Sequence, residues 1–200
     1  MDDPFTGDEF VGRTFKNLAY SEQVIEGKRF EACRFVDCAL QGAAFITCTF
    51  YDCVFEGTDA SLITVRGSAF RDTTFTRSKV MGVNWTQGIW PTQGLLNSVH
   101  FAGSVLNHSS FFGLAIRGIA IIDCVAHDVD FAEADMAEAV CTGTDFTDSR
   151  FRETNLTEAT FVGASGYAID VRVNTVTKAR FALPEAVALL HGLDIVLEEG

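Results

Sequence analysis

Phenylalanine recurs along this chain at an interval of five, and no standard helix or strand shares that interval. Seventeen of its eighteen phenylalanines occupy two five-residue registers. The first falls on multiples of five: Phe5, Phe10, Phe15, Phe30, Phe35, Phe45, Phe50, Phe55, Phe70 and Phe75, with Ile25, Leu40, Ala60, Val65, Val80, Trp85 and Trp90 between them. The second, displaced by one residue, runs from Leu96 through Phe101, Leu106, Phe111, Ile116, Ile121, Ala126, Phe131, Met136, Cys141, Phe146, Phe151, Leu156 and Phe161 to Phe181, and only Phe112 lies outside both. A helix repeats every 3.6 residues and a half-buried strand every two, so neither explains the pattern.

A square coil does explain it. If five residues make one side, four sides return the backbone to its starting point, and each residue lies beneath the one twenty positions later. Coils would then stack by backbone hydrogen bonds about 4.8 Å apart. The centres form interior columns, among them Phe35, Phe55 and Phe75 in the first half and Phe111, Phe131 and Phe151 in the second. The residue two before each centre must also point inward, where there is room only for a small side chain. Cys33, Cys38, Ala43, Cys48, Cys53, Thr58, Ser68, Thr73 and Ser78 fill that slot, followed by Ser104, Ser109, Cys124, Ala134, Ala139, Thr144, Ser149, Thr154 and Ala159.

Small residue, polar residue, Leu or Phe, then two variable positions is the unit of the pentapeptide repeat family, which the chain resembles over about residues 10–181; AlaAspMet at 134–136, ThrAspPhe at 144–146 and ThrAsnLeu at 154–156 show it well. The resemblance implies an all-β solenoid, a right-handed quadrilateral β-helix of eight to nine coils. Each repeat of a solenoid touches only its neighbours, so both open ends need caps.

The register also disposes of an apparent metal site. Cys33, Cys38, Cys48, Cys53 and Cys124 occupy the small inward slot and Cys141 a centre, which suits free cysteine as a small buried hydrophobe. No CxxC pair or adjacent histidine completes a zinc spacing, so no metal and no cofactor is expected. Six reduced thiols, an acidic opening without an apolar export segment, and no membrane-spanning stretch make the cytoplasm the expected location.

The pattern divides the chain into an N-terminal tail or cap (1–9), a first stack (10–90), a joint (91–95), a second stack (96–181) and a C-terminal cap (182–200). The spacing from Trp90 to Leu96 is six, so the joint reads as one side lengthened by one residue, with Trp85 and Trp90 making a bulky hinge. At the other end, Pro184 and Glu185 suit the first turn of an α-helix of about two turns, and Gly192 suits the position just past it. Its apolar side, Val187, Leu190 and Leu193, with Leu183, Pro184 and Ile195 around it, predicts packing of helix and following strand against a second copy, a homodimer.

That ending, PheAlaLeuProGluAlaValAlaLeuLeu through LeuAspIleValLeu, together with GlyValAsnTrp at 82–85, is similar to the Qnr-type quinolone-resistance and albicidin-resistance branch of the family. The resemblance implies a dimeric, DNA-mimicking rod that binds DNA gyrase, with topoisomerase IV as a second target, and counters a topoisomerase poison. Many Qnr proteins carry two loops that interrupt the coils, whereas the count here gives only the one-residue joint.

Charge bears on this independently. Residues 1–95 carry twelve acids and nine bases, and residues 96–200 fifteen acids and six bases. Within 123–158, Asp123, Asp128, Asp130, Glu133, Asp135, Glu138, Asp145, Asp148, Glu153 and Glu158 are opposed only by Arg150 and Arg152. These ten are the candidate partner-binding residues, and they are expected to ring the rod. Direct nucleic-acid binding needs clustered Lys and Arg, which are missing. An enzyme is not expected either: His100, His108, His127 and His191 have no paired nucleophile at a recognisable spacing, and a filled coil leaves no substrate cavity. The alternative is a rigid adaptor rod that docks some other protein.

Overall fold

The structure, a computed structural model, describes residues 4–90, 99–193 and 195. Its backbone winds as a four-faced parallel β-solenoid of about eight turns, the architecture expected from the repeat. Face A carries the strands Glu9–Val11, Arg29–Glu31, Thr49–Tyr51 and Ala69–Arg71, hydrogen-bonded in that order. Face B carries the longest sheet, from Thr14–Lys16 through Arg34–Val36, Val54–Glu56, Thr73–Thr76 and Val99–Ala102 to Ile121–Ile122. Face C follows through bridges such as Ala39 to Asp59, and face D through Val24–Glu26 paired with Ala44–Ile46. Three extended residues make a side, and the chain then turns a corner at the second residue after the centre. There φ is positive, as at Glu133 (60°) and Glu138 (63°), or at Gly118 (68°) and Gly143 (66°).

The centres stack as the register requires. Phe35 and Phe55 lie 4.5 Å apart with rings 4° from parallel, Phe55 and Phe75 4.6 Å, Phe111 and Phe131 5.3 Å, and Phe131 and Phe151 5.2 Å. Between columns rings meet edge to face, as Phe30 and Phe35 do at 68°, so these two rings use both favourable aromatic geometries. The small slot is buried throughout. It also does more than save space. Thr58 Oγ1 accepts from the Cys38 N–H of the coil below and donates to the Phe35 carbonyl; Ser78 does the same for Thr58 and Phe55, Ser104 for Ser78 and Phe75, and Thr144 for Cys124 and Ile121. Each hydroxyl gives a buried corner N–H an acceptor and ties that corner to a carbonyl of the coil below.

The ladder changes step once in the middle of the rod. Phe55 pairs with Phe75 twenty residues on, but Phe75 pairs with Phe101, and Lys79 with Val105, twenty-six residues on. The turn between these pairs is therefore six residues longer than the one below it, not one. An insertion of six shifts a five-residue pattern by the same one residue as an insertion of one, so periodicity could not separate the two. The expected joint at 91–95, and Leu96 with it, lies outside the described residues. On either side of it the face B sheet is continuous, and Trp85 stacks on Phe111 at 5.8 Å. Trp90 packs edge-on to Trp85 and donates its indole N–H to the Trp85 carbonyl at 2.7 Å.

The cap is helical, as expected, but is a 3-10 helix over Glu185–Leu193 instead of an α-helix, and Gly192 lies inside it. Three residues per turn put Leu189 and Gly192 in one row facing the last coil. Ala188 and Leu189 pack on the core, and a cleft of about 290 Å³ lined by Tyr167, Ala168, Ile169, Asp170, Ala188 and Gly192 remains beneath them. Val187, Leu190 and Leu193 form the neighbouring row, in which Val187 and Leu193 are exposed and Leu190 is half-buried. The strand expected after the helix falls almost wholly outside the described residues.

Candidate partner-binding surface

All ten acids of the band point outward, and the coil geometry sorts them. Asp123, Asp128, Glu133, Glu138, Asp148, Glu153 and Glu158 occupy corners with φ between 52° and 63°, while Asp130, Asp135 and Asp145 lie on faces D, A and C, paired in the ladder with Arg150, Asn155 and Ser165. The corner amides of Asp128, Glu133 and Glu138 donate to the carbonyls of Thr147, Arg152 and Thr157, nineteen residues on. That register sets Asp128 beneath Asp148, Glu133 beneath Glu153 and Glu138 beneath Glu158. Three corner columns thus carry stacked carboxylates one coil apart.

Two features of this arrangement work against stability. A side chain at positive φ costs roughly 1–2 kcal/mol relative to glycine, yet glutamate fills this slot at Glu133, Glu138, Glu153 and Glu158, where Gly113, Gly118, Gly143 and Gly163 fill it elsewhere. Like charges stacked along a corner also repel. Neither feature is needed to build a coil.

The ring of charge is not closed. Beside the band, the outward residues of face B are Ala120, Ile122, Val140, Thr142, Thr160 and Val162, so the acids cover faces C, D and A and the corners. Stacking also brings in cations that a count along the chain misses. Arg117, from the coil below, reaches Glu138 at 2.7 Å and Asp135 at 3.5 Å; Lys178, from the coil above, reaches Glu158 at 3.1 Å. These partners sit 18 to 21 residues away, so the twenty-residue coil was the signal that could have found them. With them, ten carboxylates face four basic side chains. His127 meets Asp145 at 2.8 Å, and His108 meets Asp128 at 3.6 Å. The Thr147 hydroxyl first, and His127 second, hold the Asp145 carboxyl below its usual range. Among the described residues Asp123, Asp130, Glu133 and Asp148 form no ion pair.

The cysteines are free and buried. Burial pushes the Cys53 and Cys124 thiols up to about 11 and Cys141 higher still, which leaves them protonated and unreactive. Among the described residues no three His, Cys, Asp or Glu side chains gather to hold a metal ion, and no helix is long and apolar enough to cross a membrane.

Two family models match the chain, one described as "Pentapeptide repeat region" over residues 28–98 and one as "Pentapeptide repeats (8 copies)" over 127–165. Together they span more than half of it, and the chain belongs to the pentapeptide repeat family. No curated protein matches the sequence. Among solved structures, a trypsin-treated variant of QnrB1, a plasmid-mediated fluoroquinolone resistance protein, is similar at 16% identity over 96% of this chain and 97% of that one, with a TM-score of 0.56. A second trypsin-treated QnrB1 variant is 18% identical over 96% and 99%, with a TM-score of 0.48. HetL, a pentapeptide repeat protein involved in heterocyst differentiation regulation from the cyanobacterium Nostoc, is 13% identical over 86% and 84%, with a TM-score of 0.30. At these identities the likeness is one of fold.

Proposed function

We propose that this protein is a cytoplasmic DNA mimic that binds DNA gyrase, with topoisomerase IV as a second target, and protects it from a quinolone- or albicidin-like poison by competing with DNA or destabilising the drug-trapped cleavage complex. It acts by occupancy, without chemistry. The observation that carries this reading is the set of stacked corner carboxylates, Asp128 under Asp148, Glu133 under Glu153 and Glu138 under Glu158, placed where local backbone preference favours glycine. Two coils rise about 9 Å, over which duplex DNA at one charge per ~1.7 Å carries about five negative charges. The band, with its four cations counted, carries a net charge of −6, which is comparable. The likeness in fold to QnrB1, a fluoroquinolone resistance protein, supports the choice of target.

A homodimer completes the reading. Leu183, Val187, Leu193 and Ile195 are exposed apolar residues at one end of the rod, Leu183 at 79%, with Pro184 and Leu190 beside them. Two caps meeting there would make one longer rod with an acidic band on either side of its two-fold axis.

The test is gyrase supercoiling in the presence of a poison, with the wild-type protein and with the combined substitutions Asp128→Lys, Asp130→Lys, Glu133→Lys and Asp135→Lys. The wild type is expected to restore supercoiling and the variant to fail while keeping its circular dichroism. No rescue by the wild type, together with no inhibition at high protein concentration, removes the gyrase reading.

A further inference from the structure

The carboxylates of the band are paired in two chemically different ways. On face A and at the corner after it the partners are permanent cations, Arg117 for Asp135 and Glu138 and Lys178 for Glu158. On face C and at the corner after it they are histidines: His127 Nε2 meets Asp145 Oδ2 at 2.8 Å, and His108 Nδ1 meets Asp128 Oδ2 at 3.6 Å. Among the described residues no lysine or arginine pairs with Asp123, Asp128, Asp145 or Asp148.

The stacking fixes what faces each ring. The corner amides of Gly82 and His108 donate to the carbonyls of Asn107 and His127, so His108 has Gly82 beneath it and Asp128 above. His127 has Asn107 beneath it, whose Oδ1 accepts the His127 N–H, and Thr147 above. The remaining charged groups around the pair are Asp148 in the coil above Asp128, Asp130 and Arg150 bonded together in the ladder on face D, and Lys79 one coil below His108.

We infer that His108 and His127 form a pH switch on the acidic band, cancelling two of its charges when mild acid protonates them. Histidine is the side chain whose ordinary titration falls between about pH 5 and 8, whereas Asp and Glu ordinarily stay charged down to about pH 4 and Lys and Arg stay charged throughout. The band, at −6 with neutral imidazoles, therefore falls to −4, and both lost charges come from the C side. Each imidazolium lies against a carboxylate, so it cancels a charge that a cationic partner would otherwise meet. The inference deepens the gyrase reading by adding a regulation of the same surface, and it rests on that reading only for the identity of the partner.

The probe is a hexa-lysine peptide with blocked ends, whose own charge is constant over the window, titrated calorimetrically into the full chain at low, fixed ionic strength at pH 7.5 and pH 5.5. Wild type should bind it about 5-fold more weakly at the lower pH, the size expected when two exposed charge contacts are lost. The double variant His108→Gln with His127→Gln should bind equally at both, as tightly as wild type does at pH 7.5. His108→Arg with His127→Arg should bind weakly at both, because it fixes the charged state. An unchanged affinity in the wild type, or a glutamine variant that keeps the change, overturns the switch. Gyrase binding at pH 7.5 is measured separately: if gyrase binds but the peptide shows no pH response, the switch is wrong and the gyrase reading stands. If the peptide responds as expected but gyrase does not bind, the switch stands and that reading falls.

Discussion

Phe75 and Phe101 lie face to face, 5.5 Å apart and 18° from parallel, although they are separated by twenty-six residues in a ladder that otherwise steps by twenty on this face. The face B ladder keeps its pairing on both sides of this longer step. Deleting residues 92–97, with Ser98→Gly at what becomes a corner slot, should restore the twenty-residue step and leave the melting temperature unchanged or slightly raised, because loop closure costs less. Thermal unfolding by circular dichroism checks this. A large fall would mean that the insertion supports the rod.

The hydroxyl ladder gives a second prediction. Thr58 Oγ1 bridges the Cys38 N–H and the Phe35 carbonyl, and Thr58→Val keeps the shape but removes the bridge. Two backbone groups at one buried corner then lose a partner. The expected loss is about 1–3 kcal/mol, read from urea unfolding midpoints at unchanged slope.

The cap depends on a glycine. A Cβ on Gly192 would stand 2.8 Å from Asp170 Oδ1, and that carboxylate cannot swing away freely, because Arg172 holds it through Nε at 3.0 Å and Nη2 at 2.7 Å. Gly192→Ala should therefore lift the cap from the last coil and weaken the dimer proposed above. Light scattering after size exclusion should show a shift toward monomer at micromolar concentration, while the coil spectrum stays intact.

The same carboxylate predicts an acid response. The Arg172 hydrogen bonds hold Asp170 down at about 2. A carboxyl depressed in the folded state stabilises it above the unfolded value of about 3.9, and that contribution is lost as pH falls from there toward 2. Asp170→Asn should thus melt lower than wild type at pH 6, and the two curves should converge between pH 4 and 2. A constant difference across that window would show that the Arg172 pairing adds no pH-linked stability.

Most of the fold was legible because a single constraint, the five-residue period, fixes backbone path, core and small slot together. Phe35 over Phe55 and Cys33 in the wall follow from counting alone. The insertion was misjudged because six and one are the same shift modulo five. Arg117 and Lys178 were missed because charge was summed along the chain, while stacking brings together residues about twenty positions apart. The bare stretch of face B was hidden for the same reason: Ile122, Val140 and Val162 become one surface only when coils are stacked. The cap was legible as a helix from Pro184 and Glu185, but its tighter winding was not, since that depends on how Leu189 and Gly192 meet the last coil.

In the proposed function, the acidic corners stand in for DNA on gyrase. Binding of the full chain to purified DNA gyrase, measured by calorimetry across a salt series with and without linear duplex DNA, tests it most directly. Mimicry of DNA requires binding that weakens steeply as salt rises and that duplex DNA displaces competitively. Absence of binding at low salt, or binding that duplex DNA leaves untouched, would contradict it.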